Sequence, residues 1–340
     1  MTDTSNAFAL TEVRPGVFAY VHETGTWGFN NAGLIVKGAS ALLVDTLFDM
    51  DLTGEMLQRM GRAMGEGVTI GTVVNTHGNG DHWYGNGHFA DCEIISTKAA
   101  ADEMRTVPPK VMRALMGLSR VGVKLGPFRR LLGAALSPLG AGVLGAVLEA
   151  APYLKRIFGT FEFSGIAPVY PSRTFTDQLT VTVGDRPIEL ISLGPAHTKG
   201  DAVVFDPETK VLFSGDLLFM GAHPLVWAGP FSHWIAGCDA MMALKPAVVV
   251  PGHGPLTDVS GIEETRAYLV YMEREIRKCH QAGLSEAAAV RTLDLGPYGG
   301  LNESERVAVN VETLYRELNG APARRSIVPS FPKMAALAAK

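Results

Sequence analysis

The chain has 340 residues, 47% hydrophobic and 19% charged, so it carries enough apolar material for a packed interior and is not a disordered segment. A formal net charge of -4 argues against a nucleic-acid binder, which would present a basic face, and leaves small-molecule chemistry as the default. Cys92, Cys238 and Cys279 are scattered without CxxC pairing, which suggests neither a disulfide framework nor a thiolate zinc site. The N-terminal MTDTSNAFALTEV has no basic stretch followed by an apolar run, so a secretory signal is not expected and a cytoplasmic location is.

Short apolar, β-branched runs recur early: Val17 to Val21, Gly33 to Val36, Ala41 to Asp45, Thr72 to Asn75 and Glu93 to Ser96 read as strands. Lys37-Gly38-Ala39-Ser40 between two of them reads as a hairpin turn. Asp51 to Met64 has helical spacing, with Leu52, Met56, Leu57 and Met60 on one side. A second block of strands is expected at Gln178 to Val183, Ile188 to Leu193, Ala202 to Phe205, Val211 to Ser214 and Ala247 to Val250. Helices are expected over Ile262 to Gln281 and Ser304 to Leu318. Two strand-rich halves flanked by helices imply a layered α/β sandwich.

Between the halves, residues from about 104 to 160 have helical composition and form an insertion. From Met104 to Leu148 there is no acidic residue, while Arg105, Lys110, Arg113, Arg120, Lys124, Arg129 and Arg130 are basic. Leu131 to Leu148 is uncharged, but Pro138 and the glycines at 133, 140, 142 and 145 weaken a membrane-spanning reading. A helical hairpin packed on the core or on a second subunit, an apolar lid over a site, and a basic amphipathic surface on a membrane remain as readings. Residues 1–320 are thus expected as one domain including the insertion, and 321–340 as a C-terminal extension.

The chemistry concentrates in Thr76-His77-Gly78-Asn79-Gly80-Asp81-His82, directly after a strand. Two imidazoles, a carboxylate and a carboxamide on one short loop can wrap a cation. His197, Asp216 and His253 each follow a further expected strand, and the C-terminal edge of an α/β sheet is where clefts form. Glycines flank the donors in Gly215-Asp216 and Gly252-His253-Gly254, as tight turns and close backbone approach require.

This ordered set resembles the metallo-β-lactamase superfamily, whose signature is HxHxDH followed by a distant His, a bridging Asp and a last His. The likeness covers roughly Val17 to Leu256 without the insertion, and includes Asn31 to Val36, Leu43 to Thr46 and His197 to Asp201. It implies an αββα four-layer sandwich. It also implies that His77 and His197 hold a first metal, Asp81, His82 and His253 a second, and that Asp216 bridges them. Asn79 departs from the pattern, standing where the second histidine belongs. A carboxamide is a harder and weaker donor than imidazole, so the first site is expected to bind more weakly or to prefer a harder ion.

The resemblance implies a hydrolase in which a metal, Zn²⁺ first and iron or manganese as alternatives, one or two per chain, brings the pKa of water to about 7. Asp81 would orient the nucleophile, which attacks an ester, thioester, lactone or amide carbonyl, and then help pass a proton to the leaving group. Asp216, where lactamases carry Cys, is closer to the lactonase and glyoxalase-type members. Trp83, His223 and His233 are the candidate substrate contacts. The expected partner is a hydrophobic small molecule; neither nucleic acid nor a membrane is expected, and a homodimer is compatible with the insertion or the C-terminal helices. An iron-dependent oxygenase and an inactive binding descendant are the competing readings.

Overall fold

The computed structural model describes residues 8–136, 142–322 and 327–339. Strands β1 (Phe8–Arg14), β2 (Val17–His22), β3 (Ala32–Lys37) and β4 (Ser40–Val44) form an antiparallel meander, with Lys37 paired to Ser40 across the expected hairpin. Helix α1 (Met50–Met64) follows, started by the Asp49 carboxylate accepting the Leu52 N–H at 2.9 Å and burying Met56 and Met60. It carries the chain over to β5 (Thr69–Val74), which pairs parallel with β4; β6 (Glu93–Thr97) adds in parallel to β5.

After α2 (Lys98–Met104) come the four helices of the insertion, α3 (Pro109–Lys124), α4 (Phe128–Leu136), α5 (Gly142–Glu149) and α6 (Ala151–Phe158). The uncharged run at 131–148 is thus divided between two short helices, with 137–141 outside the described residues. No helix among the described residues is long and apolar enough to cross a membrane. The chain then returns to the first sheet with β7 (Arg173–Phe175), a strand too short to stand out in the sequence, giving a seven-stranded sheet ordered β1 to β7.

The second sheet has five strands, ordered β12-β11-β10-β9-β8: β8 (Gln178–Val183), β9 (Arg186–Ser192), β10 (Ala202–Asp206), β11 (Val211–Phe219) and β12 (Val248–His253). Helix α7 (Phe231–Ala243) joins β11 to β12, which pair in parallel, and α8 (Val259–Gln281), α9 (Glu286–Thr292), α10 (Val307–Leu318) and α11 (Phe331–Ala338) follow.

The two-residue period of the strands builds the four layers. Ile35, Leu42, Val44, Val74 and Ile95 of the first sheet meet Ile188, Leu190, Val204, Val211 and Phe213 of the second in one buried cluster between the sheets. Their neighbours Leu34, Leu43, Val73 and Ile94, and Val203, Phe205, Leu212 and Val249, point outward into the cluster that contains the helices. Each such side chain contributes roughly 1.5–3 kcal/mol when fully buried, and a one-residue slip would turn a strand inside out, so the alternation pins the register. The three cysteines are free thiols.

Candidate metal centre

β4, β5, β11 and β12 end at the same edge of the sandwich, and each delivers polar side chains there. The loop after β5 supplies His77, Asn79, Asp81 and His82. It is braced from below: the Asn75 amide donates to the His82 carbonyl at 2.9 Å and the Trp83 indole N–H to the Gly78 carbonyl at 3.1 Å. Asp216 and His253 lie inside β11 and β12, because both strands run on past the ends expected at Ser214 and Val250. Gly215 allows this with a φ of 51° in the left-handed region. Gly252 has no room for a side chain, since a Cβ there would collide with Asp216 Oδ1 and the Gly215 backbone.

All four imidazoles turn Nδ1 outward and Nε2 inward. His82 Nδ1 donates to Asp45 Oδ2 at 2.8 Å, His253 Nδ1 to the Phe29 carbonyl at 3.1 Å, and His197 Nδ1 to the Leu225 carbonyl. Thr76 Oγ1 gives its only hydrogen to Asp45 at 2.7 Å, so it accepts from His77 Nδ1 at 3.1 Å. The four Nε2 atoms therefore face one point, and carry lone pairs toward it whenever the rings are neutral. They stand 3.7 Å (His77), 3.1 Å (His82), 3.4 Å (His197) and 3.4 Å (His253) from Asp216, and His253 Nε2 is also 3.4 Å from Asp81.

His77 Nε2, His82 Nε2 and Asp216 Oδ1 are buried and have no hydrogen-bond partner. Buried polar atoms are rarely left so, and imidazole nitrogens and carboxylates converging on one point are the arrangement a cation satisfies. The donor atoms of His77, His82 and Asp216 lie within 4.8 Å of one another, as do those of Asp81, His82 and His253. Asn79 completes the picture differently: its Nδ2 is 3.1 Å from His197 Nε2, so the carboxamide donates to the very lone pair that His197 would offer a metal.

The charges follow the geometry. Burial pushes His77 well below its ordinary pKa, and the neighbouring imidazoles add to it; burial likewise takes His197 down to about 4. For His82 and His253 burial acts the same way but Asp216 and the other carboxylates outweigh it, so both are raised. Asp216 is held well below the carboxylate range because His253, His82 and His77 outweigh its burial.

The cluster forms the floor of a cavity. Its walls are Trp27, Phe48 and Tyr84 from the sandwich, Met112 and Phe158 from the insertion, Phe219, Leu225 and Trp227 from the segment after β11, and Ile327 and Phe331 from the C-terminal segment, with Glu103, Thr106 and Arg306 as polar members. Residues 327–339, within the stretch set apart as an extension, thus help close the site.

Three expected substrate contacts do not reach this cavity. Trp83 is fully buried under the loop it braces, and its neighbour Tyr84 lines the wall instead. His223 is buried against the Tyr268 hydroxyl at 3.0 Å, and His233 is exposed on α7 while Trp234 turns inward. Sequence reasoning had no role for Asp45, although it ends a buried strand at the same edge as the ligands. Arg306 carried no signal, being far along the chain from every motif.

An αββα sandwich whose strand ends gather histidines and aspartates defines a class of metal-binding α/β proteins. The sequence profile of the metallo-beta-lactamase superfamily matches residues 25–253, and the chain belongs to that superfamily. It is 32% identical over 95 residues to the acyl-coenzyme A thioesterase MBLAC2 of Gallus gallus, a match covering 26% of this chain and 33% of that protein. It is 23% identical over 274 residues to a linear primary-alkylsulfatase of a Pseudomonas species, covering 76% of this chain and 48% of that one. The matches thus span less than half the length of these relatives. Among solved structures, a metallo-beta-lactamase from Pontibacter korlensis superposes with a TM-score of 0.51 at 18% identity, over 77% of this chain and 99% of that one, which establishes the fold.

Proposed function

We propose that the protein is a metal-dependent hydrolase that cleaves an ester, thioester, lactone or amide bond of a hydrophobic small molecule, with zinc as the metal. The observation that carries this reading is the set of four imidazole Nε2 atoms, two of them orphaned in the interior, converging with Asp216 and Asp81 on the floor of an aromatic and aliphatic cavity. Imidazole-rich ligation with carboxylates and no thiolate suits zinc. The curated relatives support hydrolysis as the reaction type and a thioester as one bond to try.

His77, His82, His197, His253, Asp81 and Asp216 would hold the metal, with Asn79 at the edge of the first position. When bound, a divalent ion supplies Lewis acidity and brings the pKa of water to about 7. The chain's residues do the rest. Asp81, half-buried beside His253, orients the nucleophile and carries a proton to the leaving group. The apolar walls exclude water and seat the hydrophobic part of the substrate, which strengthens every electrostatic contact on the floor. Asn79, whose amide already engages His197, makes the first position the weaker of the two.

Elemental analysis of protein purified without added metal, together with hydrolysis of short acyl esters, a thioester and a lactone by wild type and His253→Ala, tests this. Zinc in the wild type with turnover that His253→Ala loses is the expected result. Iron with oxygen consumption, or turnover unchanged in metal-stripped protein, would overturn it.

A further inference from the structure

We propose that Arg306 is an anion anchor in this cavity, and that the substrate is an amphiphile bearing a carboxylate remote from the bond that is cleaved. The nature of that bond rests on the hydrolase reading; the anchor does not.

Arg306 is the one lysine or arginine among the described residues lining the cavity. It is 1% exposed and has no carboxylate within ion-pair distance among the described residues. Nη1 donates to the His223 carbonyl at 3.1 Å, while Nε is buried without a partner. The nearby acids are turned elsewhere: Glu303 accepts from Thr26 Oγ1 at 2.7 Å, and Glu305 pairs with Arg156 at 3.2 Å. What holds the guanidinium is aromatic, the Trp27 ring at 4.6 Å and the Phe219 ring at 4.9 Å.

A guanidinium kept in the interior with no carboxylate in direct contact is costly, since Glu303, Asp216 and Glu305 act on it only from a distance, and a neutral side chain could fill the same space. The arrangement becomes favourable when an anion arrives. Phe219 also stacks on the His253 ring at 5.2 Å and contacts the His197 ring at 5.4 Å, so one ring separates the guanidinium from the metal ligands. A ligand held at Arg306 therefore lies across the cluster. The planar fork of the guanidinium matches a carboxylate with two parallel hydrogen bonds. A single guanidinium matches the single charge of a carboxylate. Met112, Phe158, Ile327 and Phe331 offer the surface for the apolar remainder.

The test is calorimetric binding of hexanoate and its neutral analogue hexanamide to the metal-containing wild type, Arg306→Met and Arg306→Lys. Each protein is also assayed for hydrolysis of the mono-4-nitrophenyl ester of glutaric acid and of 4-nitrophenyl pentanoate. The expected result is hexanoate binding at least tenfold tighter than hexanamide in the wild type, an advantage that Arg306→Met abolishes without lowering the thermal midpoint. Arg306→Lys, which keeps the charge and loses the fork, should retain only part of the advantage, so the test stands even if the methionine variant does not fold. Hydrolysis should show the same discrimination as a KM effect that is larger on the glutarate ester than on the pentanoate ester. Equal binding of the two probes by wild type, an advantage that survives in both variants, or a lowered midpoint with unchanged binding would overturn the anchor and leave Arg306 a packing residue. Discrimination in binding without hydrolysis of either ester would leave the anchor standing and remove the hydrolase reading.

Discussion

Asp45 fixes two histidines of the proposed metal site with one carboxylate, and Asp45→Asn should uncouple that site without unfolding the protein. Asp45 Oδ1 accepts the Thr76 N–H at 2.7 Å, and Oδ2 accepts both Thr76 Oγ1 at 2.7 Å and His82 Nδ1 at 2.8 Å. Because the threonine hydroxyl has spent its hydrogen on Asp45, His77 Nδ1 must donate to it, and both imidazoles are locked with bare Nε2 atoms. In Asp45→Asn the carboxamide oxygen keeps the Thr76 N–H while its NH₂ replaces Oδ2. That NH₂ donates to His82 Nδ1 and to Thr76 Oγ1, whose freed hydrogen then goes to His77 Nδ1. Both rings are pushed to the tautomer with a proton on Nε2, where the metal should bind. Loss of one such supporting partner typically costs 10- to 100-fold in metal affinity, and with two rings affected we expect the upper end, about 100-fold or about 2.7 kcal/mol. The fold should tolerate the change. Asp45 sits at φ 61°, a conformation asparagine accepts as readily as aspartate, and burial already raises the Asp45 carboxyl so that a neutral group is no burden. Competition against a chromophoric zinc chelator measures the affinity, and the thermal midpoint of metal-stripped protein controls for folding. An affinity within threefold of wild type would refute the tautomer argument, as would a metal-free variant that is already unfolded. Asp45→Ala should differ, losing stability outright, because alanine at positive φ costs roughly 1–2 kcal/mol and leaves the Thr76 N–H unpaired.

Three further outcomes follow from particular contacts. Asn79→His replaces the amide on His197 Nε2 with a ligand, and first-position zinc affinity should rise by about tenfold or more, about 1.4 kcal/mol, read as metal per chain under limiting chelator; an unchanged stoichiometry and affinity would show that Asn79 does not limit the site. Gly252→Ala drives a methyl into Asp216 and should lower stability by about 1–3 kcal/mol together with metal binding, measured by chemical denaturation and by metal content; wild-type values for both would mean the strand edge yields more freely than its packing implies. His223 is lowered from 6.5 to about 4, first by burial and then by Arg306, so between those values the unfolded chain takes a proton that the folded one refuses. Its contribution to stability is therefore complete above pH 6.5 and is lost as pH falls toward 4, by up to about 3 kcal/mol. The stability gap between metal-stripped wild type and His223→Gln in urea should narrow by that amount from pH 7 to pH 4.5, and a gap independent of pH would contradict the assignment.

The clustering of the histidines and aspartates was legible in the sequence because their chemistry and their placement are both local: they are written in the chain, and each follows a β-branched run whose end marks the sheet edge. The sandwich was legible for the same reason, since the alternation in the strands from Ala32 to Val74 and from Arg186 to His253 names the two faces of each sheet. What aims the imidazoles was not legible. The carbonyls of Phe29 and Leu225 that orient His253 and His197 belong to residues whose side chains have no part in the contact, so no residue type announces them. The cavity wall was hidden for a different reason. Phe158, Ile327 and Phe331 read as ordinary apolar residues, and only the packing of α11 against Ser304–Arg306 and against the insertion turns them toward the cavity. The tail Ala321 to Lys340, rich in proline and arginine, has the composition of a loose end, yet Phe331 and Met334 are as buried as the core strands. Asn79 lies between these cases. Its residue type alone implied a weaker ligand, but only the position of its amide opposite His197 Nε2 shows why: a metal in the first position would have to displace a hydrogen bond that the protein already makes, whereas no such carboxamide stands against His82 or His253 in the second.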